Sequence, residues 1–393
     1  MRADPVSVLI AGGGVAALEA ALALNALAED HVTVELVAPE SEFTYRPLSV
    51  AEPFRVAEIA RFPLERLVAE AGARFRRGAV TSVDPDRKIV RTDEGDELSY
   101  DVLLLGLGAR PREAVENALT FRGPQDAPAF SALLDETLAG QVHSIAFALP
   151  SSSSWPLPLY ELALLTSAHL TDHGTRGVSL TIVTPEDRPL ALFGEAASEA
   201  VAELLALREI DLRPSVTPLA YEGTGLRVIP ETTIAVDRVV ALPRLEGPAL
   251  PGIPHDGHGF VSTDEFGRVE FEVDIYAAGD MTKFPVKQGG IAAQQADVAA
   301  SAIAERAGAP VAPMPFRPVL RGLLLTGMVP RYLRADPGTA TSIVDTEALW
   351  WPPAKIVGRY LAPFLAAQLG LTDELAEAPP AGAVPVEVEL EGA

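Results

Sequence analysis

The sequence predicts an α/β fold built from doubly wound, Rossmann-like units. A strand rich in β-branched residues, Val6–Ile10, runs into Gly12-Gly13-Gly14 and then into a long helix rich in alanine and leucine. Farther along the chain, another predicted strand, Val178–Val183, is also followed by an amphipathic helix. With 393 residues, the chain is long enough for two or three packed domains, because single cores stop growing near about 250–300 residues.

The glycine turn has the spacing of a dinucleotide-binding motif. Gly12, Gly14 and Ala17 form G-x-G-x-x-A between strand and helix. The first glycine allows the tight turn, the second lets the backbone approach a diphosphate, and the alanine lets the helix pack closely on the strand. Phosphate oxygens would meet the free N–H groups at the positive end of the helix. The nearest acid beyond the second predicted strand, Val32–Val37, is Glu40, which we expect to bind the ribose.

The composition argues against several classes of partner. The formal net charge of −23 opposes sequence-independent binding to nucleic acid or to an anionic membrane. The chain has no cysteine, so disulfides, thiolate metal sites and cysteine redox relays are excluded. The first residues show no secretion signal, and no apolar run reaches the roughly 18 residues of a membrane span. We therefore expect a cytoplasmic protein without membrane contact.

A second candidate segment lies late in the chain. A predicted strand ends at Gly279-Asp280, and a predicted helix starts near Gly289, directly after Lys287 and Gln288. The N–H groups at a helix start and the charge of a lysine both favour negative charge on a bound ring. Because the chain has only four lysines, the position of Lys287 is informative.

These segments resemble those of the FAD-dependent pyridine nucleotide–disulfide oxidoreductase superfamily, in the branch of type II NADH dehydrogenases and sulfide:quinone oxidoreductases. The stretch Tyr100–Pro111, which contains Gly108, is similar to the strand-and-glycine segment by which such proteins leave their FAD domain, although Leu107 stands at the usual threonine. Phe43–Leu48 is similar to a segment that passes close to the cofactor, and its Arg46 can reach a phosphate.

The resemblance implies that the cofactor is non-covalent FAD. Asp280, with Gly279 before it, would lie against the ribityl and diphosphate part. The helix start at Gln288 and Gly289 would face the flavin edge that becomes negative on reduction. Lys287 would add a positive charge at that edge and is our candidate catalytic residue. No side chain is predicted to act as an acid or base.

The resemblance also implies two Rossmann-like dinucleotide-binding domains, the second inserted in the first, plus a C-terminal interface region. In relatives that region forms a quinone pocket, a membrane contact or a dimer interface, so a homodimer is one arrangement it allows. The predicted boundaries are 1–112 and 246–312 for the two parts of the FAD-binding domain, 113–245 for the second domain, 313–373 for the interface region and 374–393 for an acidic, Pro- and Ala-rich tail.

The second domain lacks the glycines by which NADH-using relatives bind their dinucleotide. In the segment 145–165, IAFALPSSSSWPLPLYELALL, those three positions fall on Ser154, Pro156 and Leu159, counted back from Glu161. A side chain blocks the close approach of a diphosphate, and proline also lacks an N–H donor. The loop 150–159 is either a plug that closes the cleft or a loop shaped for another substrate. Its serines can still bind a phosphate.

These features predict an FAD-dependent oxidoreductase that passes electrons from an unidentified small-molecule donor to a quinone-like or other acceptor. One alternative is an NAD(P)H-dependent FAD oxidoreductase with an atypical nicotinamide site. Another is a flavin-binding interaction protein whose redox chemistry has lapsed. We predict no metal site, and we interpret His169 and His173 as solvated residues. Trp350 and Trp351 are interpreted as packing residues, with stacking on an aromatic acceptor as the alternative.

Overall fold

The protein was analysed as a computed structural model, which describes residues 4–151, 154–230, 233–339, 341–371 and 384–385. The α-helices in these residues are α1 (Val15–Ala28), α2 (Leu64–Glu70), α3 (Ala127–Leu138), α4 (Leu157–Asp172), α5 (Glu195–Leu207), α6 (Gly289–Arg306) and α7 (Leu361–Gln368). The strands are β1 (Val6–Ala11), β2 (Val32–Ala38), β3 (Glu42–Thr44), β4 (Arg61–Pro63), β5 (Arg74–Arg77), β6 (Val80–Asp84), β7 (Ile89–Thr92), β8 (Glu97–Ser99), β9 (Val102–Leu105), β10 (Arg110–Arg112), β11 (Leu119–Thr120), β12 (Ser144–Ala148), β13 (Ser179–Val183), β14 (Ile210–Arg213), β15 (Thr217–Tyr221), β16 (Gly225–Ile229), β17 (Thr233–Ala235), β18 (Arg238–Ala241), β19 (Arg244–Glu246), β20 (Ile275–Ala277), β21 (Leu320–Leu324), β22 (Arg331–Asp336), β23 (Thr341–Asp345), β24 (Trp350–Trp351) and β25 (Val384–Pro385).

The first parallel sheet joins the two candidate segments. Its strand order is β20-β9-β1-β2-β5, so a strand from late in the chain pairs with one from its first third, with Ile275 opposite Leu103. Helices α1 and α6 pack against each other beside the sheet through small buried residues, among them Ala20 and Ala296. Since parallel strands end at one edge of a sheet, the glycine turn after β1 and Gly279 after β20 lie at the same edge.

A second parallel sheet has the order β11-β18-β12-β13-β14. All its strands lie between β9 and β20 in the chain, and its pairs are parallel, with Ile145 opposite both Leu180 and Arg238. Buried aromatic and aliphatic side chains, including Phe147 and Tyr160, form its core with α3, α4 and α5. The predicted fold class, two Rossmann-like units with the second inserted in the first, is confirmed.

The chain passes between the sheets along an antiparallel pair, β10 with β19. Beyond α6 it forms a three-stranded antiparallel sheet in the order β21-β22-β23. The first two of these strands lie on either side of Thr326-Gly327. Most of the predicted tail, 374–393, lies outside the described residues. Among the helices of the described residues, none combines the length and apolar character needed to span a bilayer.

Candidate functional site

The glycine turn between β1 and α1 has the geometry that a bound diphosphate needs. Gly12 has a φ of +125°, and a Cβ atom on it would lie 2.3 Å from the carbonyl oxygen of Gly106, so only glycine fits. Gly14 caps α1 in an extended conformation, and a Cβ atom on it would have no neighbour within 4 Å. The turn therefore packs tightly against Gly106 at Gly12 and leaves open space for a ligand beside Gly14, at the start of α1.

Two further predicted residues lie around this turn. Glu40 is exposed, and its Oε2 lies 3.5 Å from the place that a Cβ atom of Gly13 would occupy. Ala17 is fully buried, and a Cβ atom on Gly106 would lie 3.4 Å from its backbone nitrogen. The small side chain of Ala17 allows this close packing, and the carboxylate of Glu40 reaches the turn. Its bond to a ribose stays a prediction.

The late segment directs a carboxyl group to the same edge of the sheet. Gly279 has a φ of +79° and donates its N–H to Oε1 of Gln295 at 2.8 Å. The next residue, Asp280, lines a cavity of about 500 Å³. Burial raises the pKa of Asp280, whereas the charges of Lys287 and Arg46 lower it. Three residues predicted from separate motifs therefore interact electrostatically at one place.

The start of α6 reaches this cavity through Gln288 and Gly289. The side-chain oxygen of Gln288 caps the helix by accepting from Ile291 N at 2.8 Å, and its Nε2 donates to the carbonyl of Arg321 at 2.9 Å. The N–H groups of Gly289 and Gly290 have no acceptor among the described residues. Gln288 is thus a buried capping residue that leaves these two donors for a ligand.

Lys287 lines the cavity, but its ammonium is held by protein groups. Its Nζ donates to the carbonyl of Thr282 and lies 4.2 Å from the centroid of the Phe260 ring. Burial lowers the pKa of Lys287 to about 8, while Asp280 and Asp256 oppose this shift. The remaining predicted residue, Gly108, has a φ of +71° and does not line the cavity.

These features fit FAD better than a smaller nucleotide. The open side of Gly14 suits a diphosphate, and Asp280 with the two helix N–H groups suits a ribityl chain and a polar ring edge. The cavity beyond them extends to the second sheet and to the C-terminal region, because Leu242 and Leu323 also line it. A ligand can therefore reach from the first sheet into a space between all three regions.

An ion pair that was not predicted from the sequence is buried in the cavity wall. Nζ of Lys355 lies 2.6 Å from Oε1 of Glu161, and the two side chains are 5% and 1% exposed. Lys355 also donates to the carbonyl of Pro47 at 3.2 Å, and Leu325 N donates to Glu161 at 2.9 Å. Burial raises the pKa of Glu161, whereas the charge and the hydrogen bond of Lys355 lower that pKa. A lone lysine in the apolar stretch 350–369 and a glutamate in an apolar helix were the available signals.

The loop before α4 does not form an anion-binding turn in its described part. Pro156 caps α4, and the N–H of Leu159 already donates to the Pro156 carbonyl at 2.9 Å. Trp155 packs edge-on against Phe193, with ring centroids 5.6 Å apart, and lines the cavity. Ser152 and Ser153 lie outside the described residues.

The acid that follows β13 is closed off by the protein itself. Glu186 is 8% exposed. Its Oε2 accepts from the hydroxyl of Tyr160 at 2.8 Å and from that of Thr184 at 3.0 Å. Tyr160 belongs to α4 and is fully buried, so a ribose has no access to this carboxyl group. Sequence reasoning missed this contact.

The other residues singled out by sequence lie elsewhere. The rings of His169 and His173 are tilted by 44° to each other with their centroids 4.3 Å apart, and the described residues contain no cluster of three or more side chains that could hold a metal ion. Trp350 is 1% exposed, donates to the carbonyl of Ala354 at 3.0 Å and packs edge-on against Tyr332. Trp350 is therefore a core residue, as its packing interpretation predicted, whereas Trp351 is half-buried.

Comparison with curated proteins finds reductases. The chain is 28% identical to the sulfide-quinone reductase of Aquifex aeolicus over 226 residues, which cover 55% of this chain and 52% of that protein. It is 26% identical to a demethylphylloquinone reductase of Synechocystis sp. over 347 residues, 79% of this chain and 82% of that protein. The chain thus spans about half the length of the first of these relatives.

Solved structures share the fold. The sulfide:quinone oxidoreductase of Aquifex aeolicus superposes with a TM-score of 0.77 at 22% identity, covering 86% of each chain. A ferredoxin reductase from Rhodopseudomonas palustris superposes with a TM-score of 0.63 at 19% identity, covering 84% of this chain and 81% of that one. The family model for pyridine nucleotide-disulphide oxidoreductases matches residues 4–137 and 162–302. The chain therefore belongs to the pyridine nucleotide-disulphide oxidoreductase family, with FAD as its cofactor.

Proposed function

We propose that this protein is an FAD-dependent oxidoreductase that reduces a quinone-like acceptor bound in the cavity. The observation that carries the proposal is the Glu161–Lys355 pair, which lies in the wall of the same cavity as Asp280 and Gly289. A proton source and a cofactor-ring site are thus adjacent. The reductase names of two relatives support this choice.

The chain supplies protons and position, whereas bound FAD supplies two-electron transfer. A quinone needs two electrons and two protons to become a hydroquinone. A hydride equivalent brings both electrons and one of the protons, so one further proton has to come from the chain. Nζ of Lys355 donates a hydrogen bond to Oε1 of Glu161 at 2.6 Å, and burial raises the pKa of Glu161 although Lys355 lowers it. The pair can deliver that proton to an oxygen atom in the cavity, because a buried general acid needs only hydrogen-bond reach.

Several features support a donor other than NAD(P)H. The hydroxyl of Tyr160 already donates to the carboxylate of Glu186, so a ribose has no access to that acid. The family match is also interrupted over 138–161, the segment that contains the serine–proline loop. The NAD(P)H-dependent alternative keeps one feature in its favour, the serines of that loop. Under both versions Lys287 stays our candidate for adding positive charge near the ring, with the carbonyl of Thr282 holding its ammonium in place.

Stopped-flow absorbance tests the proposal. Holoprotein is photoreduced anaerobically and mixed with menadione, and the return of flavin absorbance is followed. We expect fast reoxidation, and we expect Glu161→Gln to slow it by about 10²-fold if the pair is the proton source. Glu203→Gln, on the exposed side of α5, removes the same charge away from the cavity and should leave the rate unchanged.

Two outcomes would contradict this function. Reduced protein that menadione does not reoxidise would favour the interaction protein whose redox chemistry has lapsed. Reoxidation that is equally fast in Glu161→Gln and Glu203→Gln would remove the proposed proton source. A cytoplasmic location and a homodimer stay predictions, and sedimentation of the holoprotein would test the second.

A further inference from the structure

The cavity carries an excess of positive charge in an acidic protein. Seven of the described residues that line it are lysine or arginine and three are aspartate or glutamate, whereas the whole chain has 31 basic and 54 acidic residues. A concave site lined by one sign of charge concentrates ligands of the opposite sign. The seven basic residues are Arg46, Arg122, Arg244, Lys283, Lys287, Arg321 and Lys355.

The three acidic residues are already engaged. Glu161 pairs with Lys355, and Asp280 interacts with Lys287 and Arg46. The third, Asp256, accepts from His258 N at 2.9 Å and Phe260 N at 3.0 Å, and its charge interacts with those of Lys283 and Lys287.

Because three acidic residues offset three of the seven basic ones, four positive charges remain in excess among the described lining residues. Arg122 and Arg244 contact the carboxylates of Asp126 at 3.5 Å and Glu246 at 2.8 Å, but neither acid lines the cavity. Exposed pairs of this kind are worth only about 0–1 kcal/mol, so both guanidinium groups can turn to a ligand. Lys283 is exposed at the cavity edge, and Arg321 is buried in its wall.

The diphosphate of the cofactor does not account for this charge. It belongs at the glycine turn, and none of Gly12, Gly13 and Gly14 lines the cavity. A negative group on the second substrate would account for it.

Aromatic residues stand next to the basic ones. Phe121 precedes Arg122, and Phe284 follows Lys283; all four line the cavity, as does Trp155. Apolar rings stack on such side chains, and a carboxylate bonds strongly to neighbouring lysine and arginine. The lining therefore suits a ligand with an apolar ring at one end and a carboxylate at the other.

We propose that the cavity selects an aromatic carboxylate, so that the acceptor is a quinone-type ring with an acidic substituent. This inference rests on the proposed function, which identifies the cavity as the acceptor site. The inference itself concerns only which ligands bind there. Lys283 and Arg122 are the residues that set the preference.

Calorimetry on oxidised holoprotein tests it with the matched pair 2-naphthoate and 2-naphthamide, which differ in charge and not in ring. We expect 2-naphthoate to bind about 10-fold more tightly, and added salt to reduce that difference. Lys283→Gln and Arg122→Gln should each weaken 2-naphthoate binding by about 3–10-fold and leave 2-naphthamide unchanged. Lys88→Gln is the matched control, because Lys88 is a partly exposed lysine that does not line the cavity.

Equal affinities for the two ligands, or equal effects of Lys283→Gln and Lys88→Gln, would overturn the inference. Flavin absorbance shows that each variant is folded and loaded. Protein that binds 2-naphthoate selectively but is not reoxidised by menadione would contradict the proposed function alone. Protein that is reoxidised by menadione but does not prefer 2-naphthoate would contradict this inference alone.

Discussion

Replacing Lys355 by methionine should destabilise the protein in a pH-dependent way. Lys355→Met keeps a long apolar side chain but removes the only ion-pair partner that the described residues offer to Glu161. Glu161 is 1% exposed and would keep the N–H of Leu325 as its hydrogen-bond donor. A buried carboxylate without a counter-charge is costly, because the protein interior does not replace the lost hydration.

The expected magnitude follows from that burial. Breaking one side of a buried pair costs about 3–5 kcal/mol, which corresponds to a fall in Tm of roughly 4–6 °C for a chain of 393 residues with an unfolding entropy of about 2.1 cal/mol/K per residue. Without Lys355 the folded-state pKa of Glu161 rises further above its ordinary value of 4.5, since both the charge and the hydrogen bond that lower it are gone. The folded state then holds a proton that the unfolded state has lost, so stability falls as pH rises from about 4.5 through the raised pKa.

Thermal unfolding of FAD-loaded protein at several pH values measures the effect. Lys355→Met should lose more stability near pH 8 than near pH 5. Adding Glu161→Gln to Lys355→Met removes both charges and should recover part of the loss at the higher pH. Two results would refute the reasoning: a Tm of Lys355→Met within about 1 °C of that of the parent, or a double variant whose Tm near pH 8 is no higher than that of Lys355→Met.

Four further predictions concern the rest of the site. Gly14→Val should fold but lose FAD, because its side chain enters the open space above the turn. The control Gly257→Val, at another glycine without neighbours, should keep FAD, and the flavin absorbance of each purified variant measures the bound cofactor. Tyr160→Phe should cost about 1–3 kcal/mol in unfolding free energy by removing a donor from buried Glu186, and a denaturant titration that shows no loss would contradict the closed site. The contribution of Lys287 to stability should rise with pH between its folded pKa of about 8 and its ordinary value of 10.5, and Lys287→Met should flatten the pH profile of Tm in that window. NADH added to the oxidised holoprotein should show no saturable binding by calorimetry, whereas micromolar affinity would restore the nicotinamide alternative.

Local sequence patterns predicted the strands, the turn and the helix start at the cofactor end of the site. The turn at Gly12–Gly14, the strand that ends at Gly279 and the helix that begins at Gly289 each depend on neighbouring residues along the chain. Strand pairing then brought them to one sheet edge, which the resemblance to a known family implied.

Contacts between distant residues could not be predicted in the same way. Glu161 and Lys355 are 194 positions apart in the chain, and only the packing of the C-terminal region on α4 brings them together. Tyr160 and Glu186 meet because α4 packs across the end of β13. In both cases a residue type was visible in the sequence, but its partner was set by tertiary structure. The side chain of Gln288 caps α6, a role that was not predicted from the sequence, and its contact with the cofactor stays a prediction.

The central claim is that the flavin exchanges electrons with a ring in the cavity rather than with a dinucleotide on the second sheet. The most direct test is anaerobic stopped-flow measurement of two rate constants for the same holoprotein, oxidation of reduced flavin by menadione and reduction of oxidised flavin by NADPH. We expect the first to exceed the second by at least about 100-fold, equal to ~2.7 kcal/mol of activation free energy. Reduction by NADPH as fast as oxidation by menadione would contradict the claim.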